Sequence, residues 1–229
     1  MERRIVIGDI HGCNKTFKKL LFEVLAIRSE DQIYVLGDFV DRGPDSIGVI
    51  NTILELKENA YHIYCLRGNH EQLMIDSVNN VSSYFQWLLN GGDSTMEGFG
   101  VRRFQDFPKS YQDFINSTVY YVELADFILV HAGLNFKKAN LFEDTTAMLW
   151  SRKIKPVEAK LGNRKLIHGH TPIPLESLLQ QTGNCINIDG GCVFKNQGKG
   201  QGYLVALLLD TMEFVYTECI DILINEGKE

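Results

Sequence analysis

The chain of 229 residues is long enough for one large domain, and its hydrophobic content of 45% suffices for a single buried core. Its formal charge of −6 excludes the broad positive field with which a protein holds many phosphates along a nucleic acid. No stretch has the roughly 18 consecutive apolar residues of a membrane span, and the N-terminal segment does not have the pattern of a signal peptide.

The five cysteines form no C-x-x-C pair and follow no disulfide-framework spacing, which is typical of reduced, buried thiols. We therefore expect one cytoplasmic domain over residues 1–229, with neither nucleic acid nor membrane as a partner. The sequence carries no signature of a dimer interface, so it leaves the oligomeric state open.

In chain order, short apolar runs alternate with segments of helical periodicity, the pattern of strands linked by helices around a sheet. Apolar runs predict strands at 5–7, 33–36, 61–66, 127–130 and 166–167. Spacing of i, i+3, i+4 predicts helices over 17–25 and 47–56. The segment from about 73 to 118, with its glycine breakers, predicts a small helical cap insertion, and the segment from 185 onward predicts a meander of antiparallel strands.

Polar clusters follow the predicted strands. They lie at 8–12, 37–43, 68–71, 131–133 and 168–171. Ligands of α/β sheets bind beyond the carboxyl ends of the strands, and the flanking glycines allow close backbone approach to a small ligand. A single Asp or His after a strand is usually a structural residue. Five of the six histidines fall in these clusters, however, and a mixture of Asp, His and Asn suits divalent Mn, Fe or Zn.

The clusters read GDIHG, GDFVDRG and GNHE, followed by two later histidine motifs, and this ordered set resembles the phosphoprotein phosphatase family. The segments around Trp87, Trp150 and 188–194 are similar to the bacterial and bacteriophage lambda type of these enzymes. The resemblance implies an α/β fold of the calcineurin-like kind, a four-layer α-β-β-α sandwich of two mixed β-sheets.

The resemblance also implies two divalent metal ions, with Mn expected in vitro and Fe or Zn as alternatives. It assigns the first ion to Asp9, His11 and Asp38. It assigns the second ion to Asp38, Asn69, His131 and His170. Asp38 would bridge the ions, whose charge would generate a hydroxide for in-line attack on phosphorus.

Four further residues receive catalytic roles from the resemblance. Arg42 and Arg152 would bind the phosphate, because a guanidinium donates two parallel hydrogen bonds to its oxygens. His70 would protonate the leaving group, with Asp41 orienting it. The expected activity is hydrolysis of phosphomonoesters, on a phosphorylated protein or a small phosphoester, with Ser/Thr or Tyr preference left open.

Three alternatives are weighed against this interpretation. A symmetrical dinucleoside tetraphosphate hydrolase is disfavoured by Glu71, where such enzymes typically carry Asp, and by the Trp150-x-Arg152 match. An inactive phosphate-binding module is disfavoured because every expected ligand position is filled. A nuclease or cyclic-nucleotide phosphodiesterase is disfavoured by the acidic charge.

Some positions keep two interpretations. His62 is expected to be structural, and His168 either structural or in support of His170. Trp87 and the adjacent Gly91-Gly92 could shape substrate access or only pack. Asp189 lies in a family loop motif, but Gly190-Gly191 replaces the more usual Thr-Gly there.

Overall fold

The structure is a computed structural model that describes residues 2–197 and 199–222. Within these ranges nine strands form two sheets. The strands are β1 Arg4–Ile7, β2 Gln32–Val35, β3 His62–Cys65, β4 Tyr121–Glu123, β5 Phe127–Val130, β6 Lys165–His168, β7 Cys185–Asn187, β8 Tyr203–Leu208 and β9 Glu213–Glu218.

The helices connect the strands and cover the outer faces of the sheets. They are α1 Asn14–Lys18, α2 Ser46–Glu58, α3 Asn69–Asp76, α4 Val81–Trp87, α5 Asp93–Phe99, α6 Lys109–Ser117, α7 Thr145–Trp150, α8 Glu158–Leu161 and α9 Leu175–Leu179. A π-helical turn at Lys19–Val24 extends α1, another at Leu88–Gly92 joins α4 to α5, and 3₁₀ turns lie at Phe104–Asp106 and Cys192–Phe194.

Both sheets are mixed. One has the order β3-β2-β1-β8-β9. Strands β3, β2 and β1 are parallel to one another, β8 is antiparallel to β1, and β9 is antiparallel to β8. The other has the order β4-β5-β6-β7, with β4 antiparallel to the rest. Val6 and Val205 of the first sheet share one apolar cluster with Leu129 and Ile167 of the second, so the sheets pack face to face.

The outer faces of the sheets are covered by helices. Phe17 and Ile50 of α1 and α2 pack on the five-stranded sheet, and Met148 and Leu161 of α7 and α8 pack on the four-stranded sheet. The layers therefore run helix, sheet, sheet, helix, and the predicted fold class is confirmed.

The predicted cap is helical, as expected, and is built from the end of α3 together with α4, α5 and α6. Gly91, at φ 94°, breaks the helical path between α4 and α5. Trp87 is fully buried, and Phe99 stacks on Phe107 at 4.1 Å between ring centroids. The cap residues thus pack on one another, and they belong to the same apolar cluster as residues of α2 and α3.

Two expectations about strands need correction. The segment 185–188 was expected in an antiparallel meander, but β7 is parallel to β6, and α9 supplies the crossover that a parallel connection requires. An apolar strand pattern does not identify its partner, which is why this prediction was wrong. Strand β4 was not predicted, because its three residues are only partly buried and show little periodicity.

The fold brings the polar loops of both sheets to one edge. His131, after β5, contacts Asn69, after β3, and the backbone N–H of His170 donates to Asp9, after β1. Among the residues that the structure describes, no helix is long and apolar enough to cross a membrane.

Asp31, just before β2, is a buried anchor of the parallel β1–β2 pair. Its carboxylate accepts hydrogen bonds from Arg3 Nε at 3.0 Å and from the Arg28 N–H at 2.8 Å. Burial alone would raise the pKa of Asp31, but the hydrogen bonds from Arg3 and Arg28 hold it below its ordinary value. The ionised form is therefore the one that stabilises the fold.

We expect Asp31→Asn to lower the free energy of unfolding by about 2 kcal/mol at pH 7, the scale of hydrogen bonds to a charged group. Because the folded pKa is depressed, this contribution is complete above the unfolded pKa of about 3.9 and disappears as pH falls through the folded pKa. Urea titrations from pH 3 to pH 7 should show the unfolding free energies of the wild type and of Asp31→Asn converging in acid.

The control is Asp126→Asn, which breaks an exposed pair with Arg4 and should cost less than about 1 kcal/mol. A deficit of Asp31→Asn that stays constant at all pH values would contradict this role of Asp31.

Candidate metal centre and phosphate pocket

Backbone strain is concentrated at the predicted site. Eight non-glycine residues with positive φ occur in the described part of the chain, and five of them are predicted site residues. These five are His11, Asp38, Asp41, Arg42 and His170. The left-handed region is unfavourable for residues with a Cβ, so the surrounding contacts must hold these turns.

Glu71 holds the turn that carries Asp38. Its buried carboxylate accepts hydrogen bonds from the backbone N–H groups of Asp38, Phe39 and Gly68, at 2.8 to 2.9 Å. Burial and the nearby Asp38 carboxylate raise the pKa of Glu71 to about 7. Glu71 therefore orders both the turn before Asn69 and His70 and the loop after β2.

Asp38 lies at the centre of the site. Its Oδ2 is 3.5 Å from His11 Nε2, 3.5 Å from His131 Nε2 and 3.9 Å from His70 Nε2. Burial alone would raise the pKa of Asp38, but the surrounding imidazoles, His131 foremost, hold it well below its ordinary value. A buried carboxylate shared by groups on both sides has the position expected of a bridging ligand.

One group of ligand atoms lies on the side of the four-stranded sheet. His131 Nδ1 donates to the carbonyl oxygen of Leu36 at 3.0 Å, which leaves a lone pair on Nε2. That Nε2 is 3.0 Å from Asn69 Oδ1 and 3.2 Å from His170 Nδ1. Lone pairs of an imidazole, an amide and a carboxylate thus converge, which is the donor set of a divalent cation.

A second group lies on the side of the five-stranded sheet. His11 Nδ1 donates to the carbonyl oxygen of Val40 at 2.9 Å, so its Nε2 is also a lone-pair donor and faces Asp38. Arg42 Nη1 donates to this Nε2 at 2.7 Å. Asp9 accepts from the backbone N–H of His170, and burial together with repulsion from Asp189 and Asp38 raises the pKa of Asp9 well above its ordinary value.

The donor atoms fit a pair of cations. Adding positive charge relieves the repulsion among the buried carboxylates, and the fixed imidazole tautomers already direct lone pairs to that position. His70, expected as the acid, also lies within the group formed by His11 and Asp38. Asp9 is not a member of the group formed by His11, Asp38 and His70. Its carboxylate is nevertheless close enough to be repelled by that of Asp38.

His70 is connected to the cap through Asp41. His70 Nδ1 donates to Asp41 Oδ2 at 2.7 Å, and the same carboxylate accepts from Trp87 Nε1 at 3.0 Å and from Thr95 Oγ1 at 2.7 Å. Burial would lower the pKa of His70, but Asp38 and Asp41 raise it above the ordinary value. Its Nε2 is buried and has no hydrogen-bond partner among residues 2–197 and 199–222. The sequence left open whether Trp87 shapes substrate access or only packs. In the structure Trp87 donates a hydrogen bond to Asp41.

A pocket of about 90 Å³ opens beside this centre. It is lined by Asp38, Arg42, Asn69, Asn90, Arg152, His170, Pro172 and Phe194. At roughly 30 Å³ per water, this volume holds about three waters or one phosphate group. The Arg42 guanidinium lies over the Phe194 ring at 5.4 Å, and the Arg42 N–H donates to the carbonyl oxygen of Gly91 in the cap at 3.1 Å.

The comparisons with known proteins agree with this geometry. The model of the calcineurin-like phosphoesterase family matches residues 3–196. The chain belongs to this family. The expected resemblance to phosphoprotein phosphatases is confirmed, and the protein is a metallophosphoesterase, a hydrolase acting on phosphoric esters.

Two relatives of this phosphoesterase carry different names. Serine/threonine-protein phosphatase 1 of Salmonella typhimurium is 41% identical over 88 residues, which cover 38% of this chain and 38% of that enzyme. The asymmetrical bis(5'-nucleosyl)-tetraphosphatase PrpE of Oceanobacillus iheyensis is 28% identical over 229 residues, covering 84% of this chain and 85% of that enzyme.

Solved structures share the fold of this phosphoesterase. A candidate diadenosine tetraphosphatase aligns with a TM-score of 0.65 at 20% identity, covering 95% of this chain and 93% of that one. A cold-active protein-tyrosine phosphatase of a Shewanella species has the same TM-score at 18% identity, covering 92% and 76%. At these identities the likeness concerns the fold alone.

The remaining candidates of this phosphoesterase differ in their relation to the centre. His62 is exposed on β3, whereas His168 is buried and its pKa is lowered to about 4 by burial. Asp189 is buried, accepts from the N–H of Gly191 at 2.8 Å and has its pKa raised to about 7 by burial. Asn90 and Thr95 were missed by the sequence analysis, although the adjacent Gly91-Gly92 pair marked the segment.

We expect Mn²⁺ to raise the melting temperature of the chelator-treated protein. Ligand at about 100 times its dissociation constant adds about 2.7 kcal/mol, which corresponds to about 5–10 °C for a chain of this size. Asp38→Asn should lose most of this increment, because it removes the central anion. His62→Asn, an exposed histidine outside the site, should keep it. Equal increments in both variants, measured by differential scanning calorimetry, would refute a metal centre built on Asp38.

Proposed function

We propose that this metallophosphoesterase hydrolyses phosphomonoesters, with phosphorylated Ser, Thr or Tyr side chains of proteins as its substrates. The observation that carries the proposal is the small pocket in which Arg42 and Arg152 lie beside Asp38. Its volume suits a single terminal phosphate group. Two guanidinium groups suit the dianionic charge of a monoester better than the single negative charge of a diester.

We assign the metal ligands as the resemblance implies. Asp9, His11 and Asp38 hold one ion, and Asp38, Asn69, His131 and His170 hold the other. Two divalent ions, Mn in vitro with Fe or Zn as substitutes, supply Lewis-acid charge to the phosphoryl group and to the attacking water. The protein fixes the lone pairs of His11 and His131 through their Nδ1 hydrogen bonds to backbone carbonyls.

The two arginines hold the phosphate in place for attack. Arg42 is positioned from both sides, by the ring of Phe194 and by its backbone bond to Gly91. A positioned substrate reacts faster because the orientation is already fixed before the reaction starts. On binding, the Arg42 side chain exchanges its contact with His11 for phosphate oxygens.

His70 delivers a proton to the departing oxygen from Nε2. Its Nδ1–H donates to Asp41, so the imidazolium is stabilised by a buried carboxylate with further donors behind it. Within the described part of the chain, His70 Nε2 has no competing hydrogen-bond partner. The substrate alkoxide or phenoxide is the group that we propose it protonates.

A second candidate is hydrolysis of dinucleoside tetraphosphates. It is favoured by the length of the match to PrpE of Oceanobacillus iheyensis, whose name describes asymmetrical cleavage. Matches to symmetrical tetraphosphatases are shorter, such as 46% identity over 66 residues with the Wigglesworthia glossinidia protein. Because these relatives are named for different reactions, the products of both symmetrical and asymmetrical cleavage must be measured.

The deciding experiment gives the Mn-reconstituted protein equal concentrations of phosphoserine, phosphothreonine and phosphotyrosine peptides and of diadenosine tetraphosphate. We expect inorganic phosphate to be released fastest from a peptide, and only with metal present. Predominant release of nucleoside diphosphate identifies symmetrical cleavage, and a triphosphate with a monophosphate identifies asymmetrical cleavage. Either nucleotide outcome would overturn the phosphoprotein proposal while keeping the phosphoesterase.

We expect His70→Asn to lower kcat by about 10²- to 10⁴-fold on phenyl phosphate, the usual contribution of a general acid. With p-nitrophenyl phosphate the loss should be at least tenfold smaller, because that phenoxide leaves without protonation. A loss independent of the leaving group would argue that His70 binds metal instead. His62→Asn is the matched control and should leave both rates unchanged.

A further inference from the structure

Three cysteines meet in the core, away from the catalytic ligands. Cys13 precedes α1, Cys192 opens a 3₁₀ turn and Cys219 follows β9, so the three come from distant parts of the chain. Their exposed fractions are 0%, 2% and 0%. All three Sγ atoms lie within 4.8 Å of one another, and the Cys13 and Cys219 sulfurs are 3.9 Å apart.

The 3.9 Å spacing of the Cys13 and Cys219 sulfurs fits a shared ion. With Zn–S bonds of about 2.3 Å, two thiolates lie about 3.8 Å apart in a tetrahedral site and about 4.0 Å apart in a trigonal one. A disulfide needs about 2.05 Å and access for an oxidant, whereas these thiols are enclosed by the core. An ion can enter such a site while the chain folds.

The surroundings hold the sulfurs in place. The Thr16 hydroxyl is 3.6 Å from Cys219 Sγ, bonds to Asp221 at 2.6 Å and accepts from the Ile220 N–H at 2.9 Å. Contacts among the three thiols lower the pKa of Cys219 well below its ordinary value and raise the pKa values of Cys13 and Cys192. A fixed hydrogen-bonded shell of this kind is what orients ligands in structural metal sites.

We propose that Cys13, Cys192 and Cys219 bind one thiophilic d¹⁰ cation, Zn²⁺, as a structural site separate from the catalytic centre. Soft thiolates select such ions over the harder ions preferred by the Asp, Asn and His ligands. The site joins the loop after β1 to the loop before β8 and to the end of β9.

The thiol site lies next, along the chain, to residues of the metal centre and of the phosphate pocket. Cys13 follows His11 by two residues, and Cys192 precedes Phe194 by two. Phe194 supports the Arg42 guanidinium. An ion on the three sulfurs would therefore hold two loops from the core side, one that carries His11 and one that carries Phe194 of the pocket.

The test is a titration of the full-length, reduced protein with Cd²⁺, a zinc substitute whose thiolate bonds give a charge-transfer absorption in the ultraviolet. The catalytic ligands carry no sulfur and do not contribute to this band. We expect saturation at one equivalent of thiolate-bound Cd²⁺ per chain. Cys192→Ser should weaken this binding at least tenfold, and Cys185→Ser, a half-buried cysteine outside the cluster, should leave it unchanged.

Alkylation of the wild-type protein in mild denaturant provides a measurement that needs no folded variant. Zn²⁺ should slow the alkylation of Cys13, Cys192 and Cys219 more than that of Cys65 and Cys185, as mapped by peptide mass spectrometry. Absence of the Cd²⁺ band, uniform protection of all five thiols, or an intact mass lower by two hydrogens, which indicates a disulfide, would each overturn the proposal.

Discussion

The concentration of buried negative charge at one edge of the sandwich is the constraint on which the site depends. Asp9, Asp38, Glu71 and Asp189 are all buried there. Burying carboxylates is costly unless each finds a donor or a cation. Glu71 is satisfied by three amides, and Asp38 is surrounded by imidazoles. Asp9 accepts from the His170 N–H and Asp189 from the Gly191 N–H, yet burial raises the pKa values of both, so bound divalent ions would add the positive charge that stabilises them.

The proposed metal ligands come from both sheets, and apolar packing sets the distance across the site. His11 and Asp38 follow strands of one sheet, whereas His131 and His170 follow strands of the other. There is little tolerance at the junction. A Cβ on Gly169, after β6, would lie 2.2 Å from Asp9 Oδ1, after β1 of the other sheet. A core substitution that separated the sheets by a fraction of an ångström would therefore reach the centre as a change in ligand geometry.

The sequence predicted most of the fold and which polar residues would meet at one edge, because each polar cluster directly follows a strand and the strands are apolar runs. It could not supply contacts between residues that are distant along the chain. The Trp87 bond to Asp41 depends on how the cap folds back, and the meeting of Cys13 with Cys219 depends on the pairing of β8 with β1. The parallel pairing of β7 was missed for the same reason, since a strand pattern does not identify its neighbour.

The cap is attached to the catalytic machinery through hydrogen bonds, not only through its apolar contacts. Trp87 and Thr95 donate to Asp41, Gly91 accepts from Arg42, and Asn90 lines the pocket. One segment of chain therefore contains both a residue that lines the pocket and the residues that hold Asp41. A cap transplanted from another protein to change specificity would have to supply an indole donor and a hydroxyl donor for Asp41.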